Sequence, residues 1–166
     1  MNKGEKKEEK NEIEQAAGSD QEDPVATTEN EEENPYDQKE HFSEKELKDS
    51  QETAVEFSKA FHNYDSDNPT SYLENAKPYM ADALYEKQKK ALRRETLERA
   101  YLTAETTDVT QVSNTSENVV RWNVMVRGIA KSVDGKTSET EDWYLVSLKF
   151  IDGEWKVEDV RVNVPN

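Results

Sequence analysis

Val119-Val120-Arg121-Trp122-Asn123-Val124-Met125-Val126-Arg127, then Trp143-Tyr144-Leu145-Val146-Ser147-Leu148-Lys149-Phe150-Ile151, then Asp152-Gly153-Glu154-Trp155-Lys156-Val157, is the stretch whose reading decides the fold. Val120, Trp122, Val124 and Val126 alternate with Arg121, Asn123 and Arg127; Tyr144, Val146, Leu148 and Phe150 alternate with Ser147 and Lys149. A period of two in β-branched and aromatic residues gives a strand one apolar face. Asp134-Gly135 and Asp152-Gly153 divide the runs, and Asp-Gly accepts the positive φ of tight hairpin turns. The pattern predicts an antiparallel meander with strands at about 119–130, 140–151 and 154–164.

Parity changes inside the last of these strands. Trp155 and Val157 are odd-numbered, whereas Val160, Val162 and Val164 are even. One extra residue near Glu158-Asp159 would return all five to one face, which is what a β-bulge does. The strand before it is apolar on its second face as well, at Trp143, Leu145 and Ile151. Helices can cover only one face of a single sheet, so Trp143 and Leu145 should face water, the N-terminal tail or a partner.

Upstream, Tyr101–Val112 reads as a polar, threonine-rich first strand, making four in all. Ser43-Glu44-Lys45-Glu46 has the form of a capping box, and Leu47, Ala54, Phe57, Ser58 and Phe61 follow at helical spacing. A first helix is expected over 43–63, ended by the turn formers Asn63–Pro69. A short helix near Ser71–Leu73, interrupted by Pro78, and another over 82–92 come next. Lys87, Lys89, Lys90, Arg93, Arg94 and Arg99 form a basic cluster diluted by Glu86, Glu95 and Glu98; a solvated helix face is the simpler reading, a docking patch for an acidic partner the other.

Residues 1–42 differ in kind. They hold 14 acidic residues and 5 lysines, with few apolar side chains, and Pro24 and Pro35 oppose a long helix. Such a segment buries too little to offset the entropy of ordering, so a disordered acidic tail (1–42) is expected before an α+β domain (43–166).

The formal net charge of −15 repels phosphate backbones and anionic lipid surfaces, so nucleic acid is not an expected partner. The absence of cysteine removes disulfides, thiolate catalysis and zinc–thiolate sites. No run approaches the roughly 18 apolar residues of a membrane helix, so contact with a membrane would come only through an anchor outside this sequence.

Capped helices followed by a curved meander ending in Asp152-Gly153-x-Trp155-x-Val157-x-x-Val160 resemble the NTF2-like superfamily, a cone-shaped α+β fold, over about 43–166. The resemblance implies N-terminal helices packed on a curved four-stranded antiparallel sheet. It implies little about activity, because the superfamily spans isomerases, dehydratases, polyketide cyclases, transport adaptors and the periplasmic domains of VirB8-like secretion and conjugation proteins. The tail composition also resembles the spacer after the lipidated cysteine of Gram-positive surface lipoproteins. Met1-Asn2-Lys3-Gly4 would then stand where an anchor is joined.

Enzymes of this superfamily place an Asp or His inside the cone, often with a tyrosine donor. Only His41 and His62 are present, and each reads more simply as a tail residue and a helix-end residue than as a catalyst. Asp159, at the expected bulge, reads as a solvated carboxylate. Neither a phosphate-binding glycine loop nor a metal-ligand spacing is evident, so no catalytic residue, metal or cofactor is assigned. The sequence favours a non-catalytic extracytoplasmic scaffold with protein partners, including a homodimer, and Trp143, Leu145, Trp122 and Trp155 as binding residues. The other readings are a small-molecule or isomerase/cyclase-like pocket between helix and sheet, and a cytoplasmic protein with a solubilising tail.

Overall fold

The computed structural model describes residues 34–163. Most of the expected tail, and Val164, lie outside the described residues. The described chain runs through α1 (Glu44–His62), β1 (Tyr64–Asp65), α2 (Ser71–Ala76), α3 (Asp82–Lys90), β2 (Arg99–Gln111), β3 (Val120–Ser132), β4 (Thr137–Ile151) and β5 (Glu154–Val162). A single antiparallel sheet has the order β1-β2-β3-β4-β5. The sheet thus has five strands, not four. The extra one is Tyr64–Asp65, two residues paired with Leu102 and Tyr101. So short a strand carries no alternation, and its neighbours are turn formers.

α1 begins where the capping box places it. Ser43 Oγ accepts from the Glu46 backbone N–H at 3.1 Å, and Glu46 accepts from the Ser43 N–H at 2.8 Å. Such a cap stabilises a helix by about 1 kcal/mol. The buried stripe of α1 is Leu47, Ser50, Ala54, Phe57, Ser58, Phe61 and His62. It lies against Val120, Trp122, Val124, Val126, Tyr144, Val146, Leu148, Trp155 and Val157, with Tyr72, Leu73, Met80 and Leu84 closing the core.

Bulges bend the sheet at more than one place. Ser147 pairs with Asp159 and Leu148 with Val157, so Glu158 is the extra residue of a bulge. It keeps Trp155, Val157 and Val160 on the face that meets the core. A second bulge falls at Glu105, where Ala104 pairs with Gly128 and Thr106 with Arg127. A Cβ on Gly128 would stand 2.0 Å from the Thr103 carbonyl oxygen, so only glycine allows this approach. The β4–β5 turn has positive φ at both Asp152 (53°) and Gly153 (84°), as a two-residue primed turn requires.

The domain starts before residue 43. Gln38 is wholly buried. Its side-chain amide receives the Arg121 N–H at 3.0 Å and donates to the Arg121 carbonyl at 2.8 Å, as a neighbouring strand would. Asn114 Nδ2 donates to the same Gln38 oxygen at 3.0 Å, and Asp37 bridges to Ser113. Phe42 is buried edge-on to Trp155. The expected boundary at residue 42 therefore moves to the neighbourhood of Pro35, because a polar side chain completes the sheet where composition promised only solvated chain.

Candidate functional site

Side chains alternate along a strand, so β4 offers two different surfaces. Tyr144, Val146 and Leu148 point into the core; Trp143 and Leu145 point away from it.

Opposite the middle of β4, α1 terminates on His62, whose ring is wholly buried. His62 Nδ1 lies 2.8 Å from the Tyr144 hydroxyl and 3.8 Å from Asp142 Oδ2. Burial pushes the imidazole pKa down to about 4; Asp142 opposes that shift and Arg93 adds to it. The ring is neutral at pH 7. Burial likewise raises the Tyr144 phenol, which stays protonated.

Arg93 closes the same end. Its guanidinium donates to the carbonyls of Phe61 and, at 3.0 Å, His62, satisfying oxygens that the helix terminus leaves unpaired. Glu95 bridges it to Arg99, at 2.9 and 2.6 Å. Two members of the basic cluster are therefore tied down by carboxylate and carbonyl groups and do not extend a docking patch. A cleft of about 280 Å3 opens here, lined by Arg93, Glu95, Arg99, Asp142 and Tyr144.

Chemically, this end is a poor base. A general base works best with a pKa near the operating pH, and an imidazole at about 4 holds a proton too weakly. The arrangement is a polar lock between the end of α1 and β4, with the Tyr144 hydroxyl and the Asp142 and Glu95 carboxylates at the cleft. Among the described residues, no group of three or more His, Asp or Glu side chains could hold a metal ion.

On the outer face, Trp143 and Leu145 are half-buried. Met125, directly across from Trp143, is buried, and Asn123 stands across from Leu145. Charged pairs frame the patch: Arg127–Glu141 at 3.3 Å and Arg161–Asp159 at 3.6 Å. Trp143 Nε1 donates to Glu141 at 3.3 Å. Asn163 fastens the strand edge, donating from its backbone to the Trp143 carbonyl at 2.7 Å and from its side chain to Asp142 at 2.8 Å.

The four aromatic and aliphatic residues singled out in the sequence do not form one site. Trp143 and Leu145 share the outer face, as their parity implied. Trp122 is buried, its indole N–H donating 3.1 Å to Ser50 Oγ, so it fills the space between helix and sheet and lines no open mouth. Trp155 is buried under Phe42 and Phe150. Sequence reasoning did not pair His62 with Tyr144, which lie 82 positions apart. The available signal was a histidine one position past Phe61 on the buried helix stripe.

Among solved structures, the chain is similar to one described as an "Ntf2 like protein involved in plasmid conjugation". The TM-score is 0.53 at 16% identity, covering 69% of this chain and 48% of that one. The fold is NTF2-like. This chain spans about half the length of that structure. Two others match at TM-score 0.48: a TrwG component of a type IV secretion system from Bartonella birtlesii, at 9% identity over 70% of this chain and 90% of that one, and a periplasmic fragment of TraM, at 15% over 70% and 96%. No protein-family model matches the sequence, and no curated protein does. The NTF2-like cone has its interior filled here by Phe57, Tyr72, Leu73, Val124, Val146 and Leu148, each under 2% exposed.

Proposed function

We propose that this domain is a non-catalytic scaffold that works by protein–protein contact in a conjugation or secretion assembly outside a Gram-positive membrane. The observation that carries the reading is the filled cone. Side chains occupy the volume where a substrate would sit, while the outer sheet face keeps a tryptophan and a leucine half-exposed inside a charged frame. Similarity to a conjugation protein of the same fold supports the setting. The acidic N-terminal composition supports a tethered, extracytoplasmic placement, by a lipid or a transmembrane anchor, and the half-exposed Trp143 face supports homodimerisation.

Plasmid transfer in the source strain tests it. Deleting the gene should abolish transfer, the wild-type gene should restore it, and a gene carrying Trp143→Asp and Leu145→Lys should not, although the variant protein folds. Normal transfer by the deletion strain would overturn the proposal.

A second reading has one observation in its favour. Tyr144 and Asp142 reach the cleft at the mouth of the cone, with His62 behind them. A small ligand there would perturb the Tyr144 and Asp142 resonances in NMR titrations with small carbonyl compounds; unperturbed resonances remove that reading.

A further inference from the structure

A second surface lies on the opposite side of the β4–β5 turn from the Trp143 face and is independent of the reading above. Phe150, at the end of β4, is 60% exposed, although it packs edge-on against Trp155 with ring centroids 5.3 Å apart. Trp155 in turn meets Phe42 at 6.4 Å. Phe150 and Trp155 floor a groove of about 590 Å3 between the first turns of α1 and the β4–β5 turn, with Tyr79 and Pro78 on the far wall. At the end of the strand, the exposed Phe150 ring joins the Trp155 ring in one apolar floor, which a partner's apolar side chain can cover.

The rim selects the occupant. Glu46, Asp49, Glu52 and Glu154 stand on it against one lysine, Lys45, which is already bound to Asp49 at 2.6 Å. Beyond Pro78 the groove continues into a depression of about 740 Å3, where Glu74, Asp82 and Asp152 outnumber Lys77 and Lys156. Lys156 is itself held by the Pro78 carbonyl and Glu154. This chain's own N-terminal 42 residues, with 14 acidic side chains against 5 lysines, carry the rim's sign of charge, so neither they nor the same segment of a second copy is favoured in this groove. We propose that the groove docks a lysine- or arginine-rich segment of a partner protein, which lays an apolar side chain against Phe150 while its cations meet the acidic rim, at Glu52 first.

The test uses the full chain and two labelled peptides of equal length and leucine spacing, one with lysine and one with glutamate at the remaining positions. Fluorescence anisotropy should show binding of the lysine–leucine peptide only, weakening as salt rises from about 50 to about 300 mM. Glu52→Lys should weaken it by about fivefold, the scale of one exposed ion pair. Phe150→Ser should weaken it as well, with an unchanged circular dichroism spectrum in both variants. Trp143→Asp with Leu145→Lys should leave it untouched, which separates this groove from the outer sheet face. No binding of the lysine–leucine peptide overturns the proposal. So does binding that neither Glu52→Lys nor Phe150→Ser weakens, because that pattern is diffuse attraction to a net negative chain.

Discussion

His62 Nδ1 and the Tyr144 hydroxyl stand 2.8 Å apart in a site where the imidazole has no exposure to solvent. The pair joins the last residue of α1 to the middle of β4. Its worth depends on the ring remaining neutral. Unfolding returns His62 from a pKa of about 4 to its ordinary value near 6.5, so the unfolded chain binds more protons between those values. The stability contributed by the neutral ring is fully present above about pH 6.5 and is lost as pH falls towards 4, up to about 3 kcal/mol. Urea denaturation from pH 7.5 to 4.5 should show the wild type losing stability more steeply than His62→Gln. Parallel curves would show that His62 is not the group responsible.

Gln38 should matter to stability although it lies outside the regular strands. Replacing it by Ala strands the N–H and C=O of Arg121 and the amide of Asn114. Unmet hydrogen-bonding groups of this kind cost about 1–3 kcal/mol each, and the Arg121 pair is only partly shut off from water, so a total loss near the low end, roughly 3 kcal/mol, is expected in chemical denaturation. A loss under about 0.5 kcal/mol, the range of ordinary surface changes, would mean that the segment before Ser43 contributes nothing.

Deleting Glu158 and replacing it by Ala should behave quite differently. The side chain makes only a surface ion pair with Lys149, at 3.1 Å, worth at most about 1 kcal/mol. The residue itself sets parity. Without it, Val160 and Val162 exchange faces with Asp159 and Arg161, and the domain should lose about 3 kcal/mol or more. Thermal melts of the two variants decide the matter; equal melting temperatures would refute the role assigned to the bulge.

Trp143→Asp together with Leu145→Lys should reduce self-association in sedimentation velocity while leaving the melting temperature nearly unchanged. Both side chains are half-buried on the outer face, and neither belongs to the core cluster. Unchanged sedimentation in a self-associating protein would reject that face as the dimer surface.

The same residues show where sequence was sufficient. α1 and the β3–β5 meander were legible because each depends on a local period: 3.6 along Leu47–Phe61, and two along Val120–Val126 and Tyr144–Leu148. The bulge at Glu158 was legible as a break in that period, and the turn at Asp152-Gly153 as a demand for positive φ. Trp143 and Leu145 could be placed on the second face by parity alone.

Contacts between distant segments were set by tertiary packing. β1 has two residues and forms only because β2 offers an edge at Leu102. Gln38 is polar in a segment whose composition favours water, yet it is ordered because Arg121, 83 positions later, presents a free N–H and C=O. Trp122 and Trp155 carried the same signal as Trp143, a large aromatic in a strand. Only the placement of α1 and the curvature of the sheet put two of them inside and left one partly out. Local periodicity determined which faces are apolar. The closing of the helices over one face decided which polar groups, His62 among them, were taken out of water, and that required long-range geometry the sequence pattern does not contain.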